Sequence, residues 1–188
     1  MSLAEAIAAL EQQFPVLTKK EFRGESTLTI ERAIIADVCA YAKNELGFDT
    51  LANQCSVDNF GSEPRFEVVY ELYSYAKNHY LRLKVAVSED EPEVPTVTGV
   101  WSAANWHERE IYDLMGLTFT GHPDLRRILM WEGYPYHPLR KDFPLAGRPS
   151  EVPDVAFSKI TPLEGGPFVT TACSSGSKER EPRSKRIE

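Results

Sequence analysis

"FEVVYELYSYAKNHYLRLKVAVS" (residues 66–88) alternates apolar and polar residues on both sides of a short polar interruption. A period of two is that of a strand half in the core and half in water. Leu81, Leu83, Val85 and Val87 fall on one face of the second half, and Arg82 and Lys84 on the other. "YAKNH" (75–79) is the turn, so the stretch predicts an antiparallel hairpin whose apolar face needs a cover. Upstream, "TLANQCSVDNF" (50–60) is a further strand-like stretch, and "STLTIE" (26–31) alternates in the same way. The following "RAIIADVCAYAKNELG" (32–47) carries Ile34, Val38 and Tyr41 on one stripe, with Gly47 as its stop, and predicts a helix.

The ends of the region add two more helices. Ser2 followed by Glu5 forms a capping box, and Leu3, Ile7 and Leu10 recur at helical spacing, so residues 2–13 are expected to be helical and to stop near Pro15. "SAANWHEREIYDLMG" (102–116) has Ser102 as its expected N-cap, Gly116 just past its end, and Ala104, Ile111 and Met115 on one apolar face. Between hairpin and helix, "EDEPEVP" (89–95) joins four acids to two prolines and reads as an exposed loop. The fold class expected is α+β, a mixed or antiparallel sheet with helices mainly on one face, followed by an extended C-terminal arm. The α+β domain is placed at 1–148. Residues 149–188 are a Pro/Gly-rich arm and a polar tail expected to stay disordered without a partner.

The totals restrict function. With 188 residues and 42% hydrophobic content the chain can bury one sizeable core. A net charge of −7, from 21 Lys and Arg against 28 Asp and Glu, argues against a nucleic-acid binder held by phosphate neutralisation. Cys39, Cys55 and Cys173 are too scattered for a disulfide framework or a paired-cysteine metal site. No apolar run approaches the roughly 18 residues of a membrane helix, and "MSLAEAIAALEQQF" lacks the pattern of a secretory signal.

The chemistry-bearing residues concentrate in "WHEREIYDLMGLTFTGHPDLRRIL" (106–129). His107, His122 and His137 invite a metal reading, but a zinc helix needs a second histidine one turn after the first, where Ile111 stands. Glu108 and Glu110 lie about 200° apart around a helix and cannot share a substrate, whereas Glu110 and Asp113 can. Arg109, Arg126 and Arg127 nearby favour ionised carboxylates over a general acid, and the chain has no nucleophile elbow or phosphate-binding glycine loop. Docking is the third reading, since arginine forks and aromatic rings populate the buried centres of interfaces. Glu108 sits in the Ala104, Ile111 and Met115 stripe and is expected to be neutralised by an arginine, with Arg126 and Arg127 the candidates. "HPLRKDFPL" (137–145) repeats the pattern with Arg140, Lys141 and Asp142 between prolines, which suits an extended strap. The same residues also suit a network that pins helix 102–115 to the loop after it within one chain, so both readings stand.

At these residues the sequence resembles the C subunit of NADH-quinone oxidoreductase, the thirty-kilodalton subunit family of respiratory complex I. The pattern runs Glu108, Arg109, Glu110, then Asp113, Leu114 and Met115, then His122, Arg126, Ile128 and Leu129, and "GHPDLRRIL" and "PLRKDFP" are similar to the family's blocks. Tyr136 departs from it, standing where a glycine is usual, and the tail lacks the family's tyrosine-rich ending. The resemblance covers residues 1 to about 148. It implies a non-catalytic scaffold in the peripheral arm, beside the D and B subunits of that complex, with no cofactor bound by this chain. FMN, iron–sulfur clusters and quinone would reside in partner subunits, and electrons would pass from NADH to quinone with coupled proton translocation. It further implies a peripheral place on the cytoplasmic side of a bacterial inner membrane, reached through the complex, and a structural ion network of Glu108, Arg109, Glu110, Asp113, His122, Arg126, Arg127, Arg140, Lys141 and Asp142. Membrane-bound hydrogenase and formate hydrogenlyase complexes carry related subunits and supply the alternative parent.

Overall fold

Ser2 and Glu5 exchange the two bonds of a capping box, the Ser2 N–H donating to Glu5 Oε2 at 2.7 Å and the Glu5 N–H to Ser2 Oγ at 3.3 Å. They open α1 (Leu3–Gln13), which buries Ala6, Ile7 and Leu10. In this computed structural model residues 2–145 are described. The chain divides into two units, Met1–Arg140 and Lys141–Glu188. The expected arm beyond 148 and the polar tail, Cys173 included, lie outside the described residues.

After α1 come β1 (Val16–Phe22), β2 (Glu25–Ile30), a 3-10 turn at Arg32–Ile34 and α2 (Ile35–Asn44). Then follow β3 (Thr50–Asp58), β4 (Phe66–Ser74), β5 (His79–Val87), β6 (Glu93–Pro95), α3 (Ala104–Met115) and β7 (Thr118–Thr120). The hairpin at the centre forms as its alternation predicts: β4 and β5 pair antiparallel from Phe66↔Val87 to Ser74↔His79, with residues 75–78 as the turn. Five strands lie in the order β1-β2-β5-β4-β3. All neighbours are antiparallel except β2 and β5, which run parallel, so the sheet is mixed.

One face of this sheet carries the core. Leu28, Ile30, Phe66, Val68, Tyr70, Leu72, Leu81, Leu83 and Val85 are buried in one cluster with residues of α1, α2 and α3. The opposite face carries cross-strand ion pairs, Arg82 with Glu71 at 2.7 Å and Lys84 with Glu67 at 2.8 Å. Such pairs span neighbouring strands on an open face, where they add little stability but keep the surface soluble.

Three local expectations change. β1 is a strand the alternation did not disclose, because "VLTKKEF" is exposed along nearly its whole length. Its turn is Arg23-Gly24, both with positive φ (54° and 82°), the geometry that matches a two-residue hairpin to strand twist. The acidic loop is shorter than expected: Glu93–Pro95 is β6, parallel to β7, and Val94 is buried. Prolines are tolerated there because the ribbon has only two strands and so only edges. Finally, Ser102 does not cap α3. The N-cap is Ala103, whose side chain offers no hydrogen bond, and 101–103 already form a turn held by the Ala104 N–H on Trp101 O at 3.1 Å.

The Tyr70 hydroxyl is buried with no hydrogen-bond partner among the described residues, and burial pushes its ionisation well up. An unpaired buried hydroxyl costs about 1–3 kcal/mol. Tyr70→Phe is therefore expected to leave the unfolding free energy unchanged or raise it by about 1 kcal/mol in urea denaturation. A loss of that size would reveal a bond to the hydroxyl.

Candidate functional site

α3 places its two buried carboxylates on different sides. Glu108 and Asp113 are five residues apart, about 140° around the axis, so one meets the β6 side and the other meets the chain after β7. Both side chains are inaccessible to solvent.

Glu108 faces no guanidinium. Its Oε2 accepts from the Thr96 hydroxyl at 2.5 Å and its Oε1 from the Val97 N–H at 2.8 Å. The nearest ionisable nitrogen is His122 Nε2, 3.9 Å from Oε2. His122 Nδ1 accepts the Asp124 N–H at 3.0 Å, which leaves the ring hydrogen on Nε2, toward the Asn105 carbonyl at 3.4 Å. Burial raises the Glu108 carboxyl above the ordinary glutamate range, against the bonds from Thr96 and Val97. The expected neutralisation by Arg126 or Arg127 is thus corrected. Arg126 is exposed and pairs with Asp124 at 3.0 Å, while Arg127 belongs to the other carboxylate.

Asp113 is the most heavily bonded group of the segment. Its Oδ1 accepts from Arg127 Nη1 at 2.6 Å, and its Oδ2 accepts three successive backbone N–H groups, of Ile128, Leu129 and Met130, at 3.0, 2.7 and 2.8 Å. Successive amides turned inward form a cradle for an anion, here filled by a side chain of the same protein. Burial by itself raises the Asp113 carboxyl, but the amides of Met130 and Leu129, the Arg127 guanidinium and the Ile128 amide together outweigh it and hold the group below its ordinary range.

The same segment receives the end of α3. The last four carbonyls of a helix have no partner within it. Here Tyr112 O takes the Gly116 N–H at 3.0 Å and Leu114 O the Leu139 N–H at 3.1 Å. Asp113 O takes Arg127 Nη1 and His137 Nδ1, both at 3.0 Å, and Met115 O takes Arg140 Nε at 2.7 Å. Gly116 stands at φ 73°, and a Cβ there would lie 2.6 Å from His137 Nε2 and 2.7 Å from Arg140 Nη2. Glycine is therefore required both by the left-handed turn and by the approach of these two side chains. Burial, reinforced by Arg140 and Arg127, lowers the His137 imidazolium, although the Asp113 carbonyl favours it.

Arg109 completes the clamp without an acid, donating to the carbonyls of Arg126 at 3.2 Å and Arg127 at 3.3 Å while lying 5.3 Å from the centre of the Trp106 ring. Arg140 also faces Phe66, whose other neighbour in the stack is Arg65, with Phe60 beyond it, at 4.9–5.2 Å per step. Arg65 is itself fixed in the buried pair with Asp58 at 2.9 Å. The structure thus brings together Arg109, Asp113, Arg127 and Arg140, together with His137. Glu108 and His122 form a second, separate cluster, Glu110 is exposed, and Lys141 and Asp142 are exposed in the second unit. Val97 and the amides of 128–130 escaped the sequence reading because backbone donors carry no residue identity, and Thr96, which donates through its hydroxyl, because nothing in the sequence places it beside Glu108. Only the Gly116 stop and His137 carried a signal. Among the described residues no group of three His, Cys, Asp or Glu side chains is arranged to hold a metal ion.

Comparison with known proteins identifies the family. Residues 28–149 match the family "Respiratory-chain NADH dehydrogenase, 30 Kd subunit". A protein of Geobacter metallireducens, named as the C subunit of NADH-quinone oxidoreductase, is 50% identical over 145 residues, 76% of this chain and 90% of that one. Its namesake from Roseiflexus castenholzii is 46% identical over 156 residues, 81% and 87% of the two chains. A solved trypsin-resistant fragment (1–134) of Nqo5 superposes with TM-score 0.59 at 32% identity, over 66% of this chain and all of the fragment. A chain of an archaeal membrane-bound sulfane sulfur reductase shares the fold at TM-score 0.66 and 22% identity, over 76% of this chain and 85% of that one.

The two carboxylates give opposite pH signatures. Because Glu108 is raised in the folded state, its effect is most favourable below the ordinary glutamate value, and stability falls as pH rises through the raised one. Glu108→Gln is expected to flatten unfolding free energy over that interval and to be no less stable than the parent at neutral pH. Asp113, lowered in the folded state, stabilises above the ordinary aspartate value, and its contribution fades as pH falls through the depressed one. Asp113→Asn is expected to cost about 3 kcal/mol at neutral pH, read by urea unfolding. Similar pH profiles for the two variants would contradict the assignment.

Proposed function

This chain belongs to the family of the respiratory-chain NADH dehydrogenase 30 kDa subunit, and from that premise we propose that it is a non-catalytic scaffold of an NADH-quinone oxidoreductase. The observation that carries this reading is the α3 clamp: the carbonyls of the helix end and the Asp113 carboxylate are bonded to the arginines, His137 and amides of the chain that receives them. A knot satisfied in this way is rigid, and rigidity lowers the ordering cost of binding a neighbour. Large apolar side chains on the same elements remain open, with Trp106, Leu129 and Leu139 each about 60% exposed. Exposed rings and aliphatic groups on a fixed frame supply the anchors of an interface.

In this reading the chain sits in the peripheral arm against its partners, the D and B subunits of the complex. FMN, iron–sulfur clusters and quinone are held by partners, and electrons pass from NADH to quinone without a bond made or broken on this chain. Attachment to the cytoplasmic side of a bacterial membrane comes through the complex, in keeping with the lack, among the described residues, of any helix long and apolar enough to cross a bilayer. The alternative parent, a hydrogenase or formate hydrogenlyase type of complex, draws on the shared fold of the archaeal sulfane sulfur reductase. The curated relatives at 46–50% identity favour the NADH-quinone parent.

The test separates docking from folding. Trp106→Ala combined with Leu139→Ala is expected to leave the Tm of the purified chain within about 2 °C, since exposed positions contribute little to stability. Its recovery in the native membrane complex is expected to fall at least tenfold. Undiminished recovery would place the interface elsewhere, and purification of the chain with no oxidoreductase subunits would overturn the scaffold reading.

A further inference from the structure

β1 is the outer strand of the five-stranded sheet, with β2 on one side and its other backbone edge open among the described residues. Its side chains are exposed on both faces, Leu17 to 59% and Phe22 to 63%. A long open edge invites another strand, and folded proteins guard such edges with irregularities and lysines. Both guards are present, a break in register between Val16 and Thr18 and the pair Lys19 and Lys20. They discriminate between occupants. Antiparallel pairing of two copies about the middle of β1 brings like-charged lysines opposite one another, which is unfavourable, whereas an acidic strand meets no such penalty.

A cleft of about 370 Å³ lies between α1 and the β1–β2 hairpin, with Leu3 and Ile7 of α1 on one side and Lys19, Glu21, Phe22 and Arg23 on the other. Lys19 is only loosely engaged, 3.7 Å from Glu11 and 3.8 Å from Glu21, in exposed pairs that exchange readily. Arg23 lies 5.1 Å over the Phe22 ring, and its guanidinium retains its donors. Residues 19–23 hold three cations and one carboxylate on a chain whose net charge is −7. The stretch is therefore a basic edge on an acidic protein.

We propose that the β1 edge is a second docking element, which takes an extended segment of a neighbouring subunit that carries carboxylates around an apolar side chain. The segment adds a strand to the sheet, seats the apolar group between Leu3, Ile7 and Phe22, and pairs its carboxylates with Lys20 and Arg23. Backbone bonding supplies affinity in such additions and the side-chain pocket supplies selectivity. The inference rests on the reading of the chain as a subunit of a larger complex.

Hydrogen exchange of the Val16–Phe22 amides, compared between the free full-length chain and the purified native complex, tests it. Outward-facing amides of β1 are expected to exchange at least tenfold more slowly in the complex. Lys20→Glu combined with Arg23→Glu is expected to remove that protection while α3 and the β4–β5 hairpin keep theirs, and Phe22→Ala to reduce it with the charges intact. A complex that contains the chain but leaves the β1 amides at their free rates overturns this inference alone. So does protection unaffected by charge reversal, or protection that grows with concentration in the free chain and so reports a second copy. A chain found in no complex overturns the parent reading and this one with it.

Discussion

The seating of the Asp113 carboxylate in the amides of Ile128, Leu129 and Met130 is the constraint on which the functional half of the molecule depends. A segment with prolines and no regular structure of its own cannot fold against a helix by hydrophobic burial alone. One ionised carboxylate gives it a fixed point, and Arg127, bonded to the same carboxylate and to Tyr136 O at 3.2 Å, extends that point along the chain. His137, Leu139 and Arg140 then reach the remaining carbonyls of α3. Charge-assisted bonds are the stronger kind, and four of them on one carboxylate outweigh its desolvation.

Glu108 works by the opposite logic. It joins α3 to the end of β6 through neutral donors and is raised by burial instead of being stabilised as an ion. Cys39, whose thiol burial raises far above its ordinary value, and Tyr70 lie in the same interior, and the Glu108 charge raises each further. The helix therefore carries one acid whose charged form is favoured, toward the surface-lying chain, and one whose charged form burial disfavours, toward the core. That separation follows from a spacing of five residues, since four or seven would place both on the same side.

Much of this was legible in the sequence, and the reasons are specific. The β4–β5 hairpin was visible because its period of two had a single turn to break it, and the capping box of α1 because Ser2 and Glu5 are the residues that make one. β1 was invisible because a strand open on both faces has no apolar period to read. The assignment of Arg127 to Asp113 and not to Glu108 was beyond the sequence as well. Proximity along the chain ranks the two arginines equally, and only the path of residues 123–130 decides which carboxylate is met. The conspicuous charge cluster resolved into one buried ion pair, one exposed pair and one acid with no cationic fork.

The parallel join between β2 and β5 bears on how the chain reaches this structure. Ser26 pairs with Leu81 and Ile30 with Val85, so the contact encloses α2, β3 and β4 within one large loop. Closing such a loop costs entropy that is recovered only once the partner strand offers an ordered edge. The β4–β5 hairpin closes locally and supplies that edge. The β2–β5 pairing therefore depends on a template synthesised after β2, and during translation it has no partner strand until β5 has emerged from the ribosome.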